Sequence, residues 1–306
     1  MNLLKTVWSR FLVDDCPTMA AALAYYTLFA LPPLLYLLLT IVAYGMSLAY
    51  GADHAHDKAQ DFIAAQAGQL IGNEAAAGVI TNILERNQAQ GGVWWKSVIS
   101  VLGILFGATG VVAAVQTSLN RVWQVEPDPD TGGVKNFIFK RLLSFAMILG
   151  LGFLLLVSMV VSAVLAAVGS QVGGWLGMEK AIVAGVNYIV IFLVTIVVFA
   201  SLLKFMPDAK IEWKDVWLGA LATAVLFSVG RLAMELYFAN SHPGAQLGSA
   251  AASLAVLLVW VYYTSMIVLL GAEFTRAWAN SHGRGACPEP GAVRVEQKIV
   301  KNEAQS

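Results

Sequence analysis

The sequence predicts an all-α, polytopic membrane protein with six transmembrane helices. Three observations carry that expectation. Of the 306 residues, 58% are hydrophobic and only 12% charged; the mean hydropathy is +0.70; and six long apolar stretches recur along the chain. A soluble domain carries about 25% charged residues because it must wet its whole surface. Halving that share implies a chain whose solvent is mostly lipid. It excludes a soluble enzyme, a secreted disulfide scaffold, a nucleic-acid module and a disordered chain. Nineteen basic and nineteen acidic residues cancel, so net charge gives no argument for a polyanionic partner.

Residues 1–18 form an N-terminal segment, and the membrane domain then runs over 19–275. A crossing needs about 20 mostly apolar residues as helix, since hydrocarbon offers backbone groups no partner. The first span, 19–44, carries Pro32-Pro33 at its midpoint. Two lost donors predict a kinked or broken helix there, and a hinge. The span is too long for a signal-peptide core and reads as an uncleaved anchor. In the outer segment 51–92, Ile63, Ala67, Leu70 and Ile71, then Val79, Ile80, Ile83 and Leu84, recur at helical spacing. They predict two short amphipathic helices, lying on the outer bilayer surface or capping the bundle.

The second span is 93–119, followed by a turn-rich inner loop with Pro127, Pro129 and Gly132-Gly133. Spans three and four are 142–168 and 181–203. A short charged loop, 204–215, leads to span five, 216–238, which Asp215 can cap. Span six is 247–274. The tail 276–306 mixes Gly, Pro and charges without apolar periodicity and predicts disorder.

Basic residues are retained on the cytoplasmic side. One alternating set of segments holds fourteen Lys and Arg, the other four. Both termini are therefore expected in the cytoplasm, as an even number of spans requires. Cys16 and Cys287 then fall on the reducing side, and no disulfide is expected. Trp94, Trp95 and Trp175 outside, with Trp123, Trp213, Trp217 and Trp278 inside, read as interfacial anchors.

Several blocks look familiar when taken together. They are Ala20-Ala21-Ala22-Leu23-Ala24-Tyr25-Tyr26 with Pro32, Gly107-Ala108-Thr109-Gly110, Leu119-Asn120-Arg121-Val122-Trp123 and Pro207-Asp208-Ala209-Lys210 through Asp215. Gly219-Ala220, Trp260-Val261-Tyr262-Tyr263 and Leu270-Gly271-Ala272-Glu273-Phe274-Thr275 complete the set. The chain resembles the YihY/BrkB family of bacterial inner-membrane proteins, some once labelled ribonuclease and others, such as YhjD-like members, linked to lipid A export. The resemblance implies a six-span inner-membrane protein, and by analogy envelope-lipid handling.

Ionisable groups inside a span are costly and are default functional candidates. Arg231 and Glu235 lie four apart on one face of span five, with Arg231 about 22 Å beyond Val216, in the outer half. Arg231 is suited to a lipid phosphate, with Glu235 as its resting counter-charge; an internal ion pair fits the same pattern. Glu273, near the inner end of span six, is expected to meet Arg121, with Gln116 and Asn120 sharing a face beside them. That cluster reads as a headgroup entry site, a proton-coupled carboxylate, or a structural clasp. Lys204, Lys140 and Arg141 border the inner leaflet.

No phosphate loop, zinc motif or paired Cys-x-x-Cys occurs. No cofactor, metal or nucleic-acid partner is expected. A nuclease would want clustered carboxylates or a histidine pair; the inner side offers His282 and scattered acids, so no enzyme activity is expected. The first functional reading is a transporter or flippase of envelope lipids without its own nucleotide hydrolysis. The alternatives are a scaffold engaging envelope proteins on the outer side, and a small-solute or ion transporter.

Overall fold

The computed structural model describes residues 3–50, 57–63, 110–128, 179–240, 249–283, 285 and 287–295. Span three, most of the outer segment and the outer half of span two lie outside the described residues, so those expectations are not addressed.

The N-terminal segment is not a plain leader. Helix α1 (Leu3–Val13) buries Val7 and Phe11 and leaves Leu4, Trp8, Leu12 and Val13 exposed. It ends where Asp15 takes a left-handed backbone, φ 61°, a conformation Asp tolerates better than most residues. The Asp15 carboxylate accepts a 2.9 Å hydrogen bond from Thr18, and α2 (Cys16–Tyr50) starts directly. Pro17 occupies the first turn, where its missing donor costs nothing. Helix α2 continues through Pro32-Pro33. Of the two outcomes expected there, the break does not occur: each proline removes its own donor, and hydrogen bonds on either side carry the helix on. At 35 residues, α2 extends to about 52 Å, well beyond the predicted 19–44.

A short helical stretch, 57–63, is the described part of the outer segment. Ala59 and Ile63 are buried against Leu39, Val42 and Met46 of α2 and Val256, Leu257 and Val261 further on. Here the segment caps the bundle.

Span two appears as helix α3, 110–123, leading through Gln124 (φ 53°) into strand β1 (Val125–Pro127). The segments expected as spans four, five and six are helices α4 (Glu179–Phe205), α5 (Trp213–Asn240) and α6 (Ser249–Ser281). Among the described residues, Trp213–Met234 and Leu254–Ser281 are long and apolar enough to cross a membrane, while Cys16–Leu31 and Ile191–Phe205 are shorter apolar helices. Helix α6 is central: it packs on α2, α5 and α1, and α4 packs on α5.

Two glycine–threonine pairs set the α5–α6 crossing. A side chain at Gly219 would collide with Thr275, and one at Gly271 with Thr223. Each threonine folds its hydroxyl back on the carbonyl of its own helix's glycine, Thr223 on Gly219 at 2.7 Å and Thr275 on Gly271 at 2.6 Å. The hydroxyls are thus satisfied without a gap, and the backbones approach closely.

The described part of the tail, up to residue 295, is ordered where disorder was expected over 276–306; residues 296–306 lie outside the described residues. Helix α6 continues to Ser281, and two strands follow, β3 (Cys287–Pro288) and β4 (Ala292–Arg294). Strand β4 pairs antiparallel with β1, Val125 facing Arg294. Strand β3 pairs with β2 (Ala209–Lys210), in the loop between α4 and α5. Strands this short bear no apolar alternation, so their order comes from pairing with loops distant in sequence rather than from a pattern of their own.

The outward faces are apolar and the inward ones partly polar. Helix α5 exposes Leu221, Val225, Val229, Leu232 and Leu236 while burying Asp215 and Thr223; α6 buries Glu273, Thr275 and Arg276. In water this would be an unstable arrangement. In lipid it is the expected one.

Candidate functional site

Two polar regions stand out, one at the cytoplasmic-facing end of the predicted topology and one near the other end of α5. The first begins at the α1–α2 turn. Asp14 is buried there and meets Arg276 of α6 at 3.2 Å; the same Nη1 donates to the Val122 carbonyl at the end of α3. One guanidinium thus ties three helices. A buried pair loses the hydration of both charges, and the extra carbonyl bond helps to compensate Arg276.

Glu273 lies one turn back on α6, fully buried. Asp14, Arg276 and Arg10 are its charged neighbours. Its carboxyl lies beside that of Asp14, and no described residue supplies an N–H or hydroxyl donor to either oxygen. A buried carboxyl left this way demands a proton, a water or a cation, because an unanswered buried acceptor is expensive. The expected meeting with Arg121 does not happen. Arg121 points outward, exposed, and its place is taken by Arg276, three residues along the same face of α6.

Gln116 and Asn120 do act together, but not on Glu273. Gln116 Nε2 donates to Asp208 Oδ1 at 3.0 Å and Asn120 Nδ2 to Asp208 Oδ2 at 2.8 Å. Asn120 Oδ1 accepts from the Asp208 backbone N–H at 2.7 Å. This clasp joins α3 to the α4–α5 loop, and the Asp208 carbonyl accepts from Glu289 N in the tail. Lys204, expected to border lipid headgroups, instead donates to the Ile211 carbonyl at 2.6 Å and lies over the Trp213 ring. Trp123, expected at the interface, is buried with its Nε1 unpartnered; Trp213 and Trp217 do stand exposed, rings 6.4 Å apart. Burial pushes the Cys16 thiol up to about 12, with Glu273 and Asp14 adding to it. Both cysteines are free, Cys287 exposed.

The second region is a small cleft between α4 and α5. Arg231 shares it with Ser228, Thr195 and Tyr188, over an apolar floor of Ile191, Phe192 and Phe227. Glu235 belongs to α5, but its side chain lies outside the described residues, as do the side chains of Pro32 and Pro33. Among the described residues no group of three His, Cys, Asp or Glu could hold a metal.

A bundle with apolar outer faces and buried charges is that of an α-helical membrane protein. The model of the virulence factor BrkB family matches residues 7–294, and the chain belongs to that family. It is similar to a UPF0761 membrane protein of Alcanivorax borkumensis, 25% identical over 88% of this chain and 58% of the relative. It is also similar to one of Aeromonas salmonicida, 25% identical over 88% of this chain and 86% of the relative. The ribonuclease-like protein YfkH of Bacillus subtilis is 26% identical over 94% of this chain and 98% of its own length. The chain spans about half the length of the Alcanivorax borkumensis protein and of further UPF0761 relatives that it matches. No solved structure matches.

Two signals went unused in the sequence. Arg276 stands three residues after Glu273, a same-face spacing, yet read only as a topology charge. Gly219 with Thr223, and Gly271 with Thr275, show the small-residue spacing of close helix contacts.

Proposed function

We propose that this is a six-span protein of the bacterial inner membrane, both termini cytoplasmic, that moves an envelope lipid between leaflets without hydrolysing nucleotide and without enzymatic chemistry. The lipid is a phospholipid or a lipid A precursor. The observation that carries the reading is Arg231: a guanidinium in the outer half of an apolar helix, in a cleft with three hydroxyl side chains. The guanidinium matches the acceptor oxygens of a phosphate headgroup; Thr195 and Ser228 donate their hydroxyl protons to the Ile191 and Ala224 carbonyls and add polarity rather than donors, while the surrounding apolar faces suit acyl chains. Reconstitution in vesicles tests it. Arg231→Ala should lower the rate of labelled-lipid movement about tenfold or more, the loss of one charge-assisted contact, and Arg231→Lys less. Unchanged rates in Arg231→Ala would remove this reading.

A second reading, ion-coupled transport, draws on Glu273, to whose carboxyl no described residue supplies an N–H or hydroxyl donor. There the carboxyl carries the coupling proton. Glu273→Gln keeps the shape and abolishes protonation, so transport should lose its response to an imposed pH gradient while passive movement persists.

A further inference from the structure

Helices α1, α5 and α6 enclose an apolar trough. Leu4 and Trp8 form one wall, Leu218, Leu221 and Val225 the floor, and Phe274 the other wall. From Leu218 to Leu226, which also lines it, the trough follows α5 for about 12 Å, most of the roughly 15 Å hydrocarbon depth of one leaflet. Two lysines stand on the helices that line it. Lys214 precedes Leu218 by one turn, so it stands on the same helix face as Leu218, Leu221 and Val225. Lys5 sits between Leu4 and Trp8 on α1. Both lysines are exposed, and neither makes a hydrogen bond or ion pair among the described residues.

We propose that the trough is a binding site for one anionic glycerophospholipid of the cytoplasmic leaflet, its acyl chain along α5 and its phosphate between Lys214 and Lys5. The α1 helix makes this a site rather than ordinary lipid contact: without it the floor would be an open helix face. Anionic lipid is selected over a zwitterionic one because the latter's own cation competes for the phosphate. The site is separate from the Arg231 cleft and does not depend on transport.

The test uses the full chain purified in phosphatidylcholine-containing micelles and titrated with phosphatidylglycerol, reading retained lipid by native mass spectrometry and the melting temperature. Phosphatidylglycerol should be held about tenfold more tightly than phosphatidylcholine, given two basic residues. Lys214→Glu, at an exposed position where folding is not at risk, should erase most of that preference. Ala222→Trp, which fills the trough, should reduce retention of both lipids, and Arg231→Ala should change neither. Equal retention of the two lipids by the unaltered protein, or a preference that survives Lys214→Glu, would overturn the proposal.

Discussion

The inner end of the bundle and the outer half of α5 hold their charges in opposite ways. At the inner end, Arg276 is locked to Asp14 and the Val122 carbonyl, and Asp208 to Gln116 and Asn120, across the α1–α2 turn, α3, α6 and the α4–α5 loop. Near the other end, Arg231 stands among hydroxyls in a shallow cleft between just two helices. Dense reciprocal bonding over several elements is the mark of groups retained to fix a structure. On the proposed function, the guanidinium in that cleft is the group that meets the headgroup. Glu273 is the exception in the inner region, since it sits beside the Asp14 carboxyl with no N–H or hydroxyl donor among the described residues.

If that contrast is sound, inner substitutions damage folding and outer ones damage function. The largest effect belongs to Arg276→Met, which strands Asp14 in the interior; breaking one side of a buried pair costs about 3–5 kcal/mol. Thermal unfolding in detergent should show a collapse in melting temperature or in yield of folded protein. Gly219→Ala comes next, at about 1–3 kcal/mol for overpacking. Pairing it with Thr275→Ala removes the hydroxyl in the way, and a double-mutant cycle should show partial recovery. Asn120→Ala leaves the Asp208 carboxylate short of a donor and its backbone N–H short of an acceptor, about 1–3 kcal/mol. Its melting temperature should fall without altering the transport rate per folded molecule. A transport defect at full stability would move Asn120 to the functional side of the comparison.

The smallest effect is a labelling pattern. Cys16 is buried with its thiol pushed up to about 12, so at pH 8 it stays neutral and shielded. Exposed Cys287 should react with maleimide in everted membranes and not in intact cells. Labelling of intact cells would reverse the orientation assigned by the basic residues.

The fold was legible where lipid writes its demands directly. Apolar runs gave α4 and α5 within three residues of their ends, because in hydrocarbon only a helix satisfies its own backbone; α2 and α6 run on six and seven residues past the predicted ends, to Tyr50 and Ser281. The shared face of Gln116 and Asn120 was legible too, from their spacing of four. Their partner was not: Asp208 lies 88 residues from Asn120, and nothing local signals that approach. The pairing of Arg276 with Asp14 spans 262 residues, and a basic residue after an apolar run looks the same whether it marks the cytoplasm or locks a core. The strands of the tail escaped for a related reason. Two or three residues cannot show a period, and Gly and Pro around them mimic a disordered composition.

The stitching of that tail constrains how the molecule can move. One ribbon leaving α6 is sewn first to the linker ahead of α5 and then to the segment trailing α3, so three rods share a single knot on one side of the bilayer. Parting them there would unravel paired backbone in a region that also carries the Asp208 clasp. Separation is cheapest at the far side, away from these pairings, and a molecule tethered so would breathe from that end first.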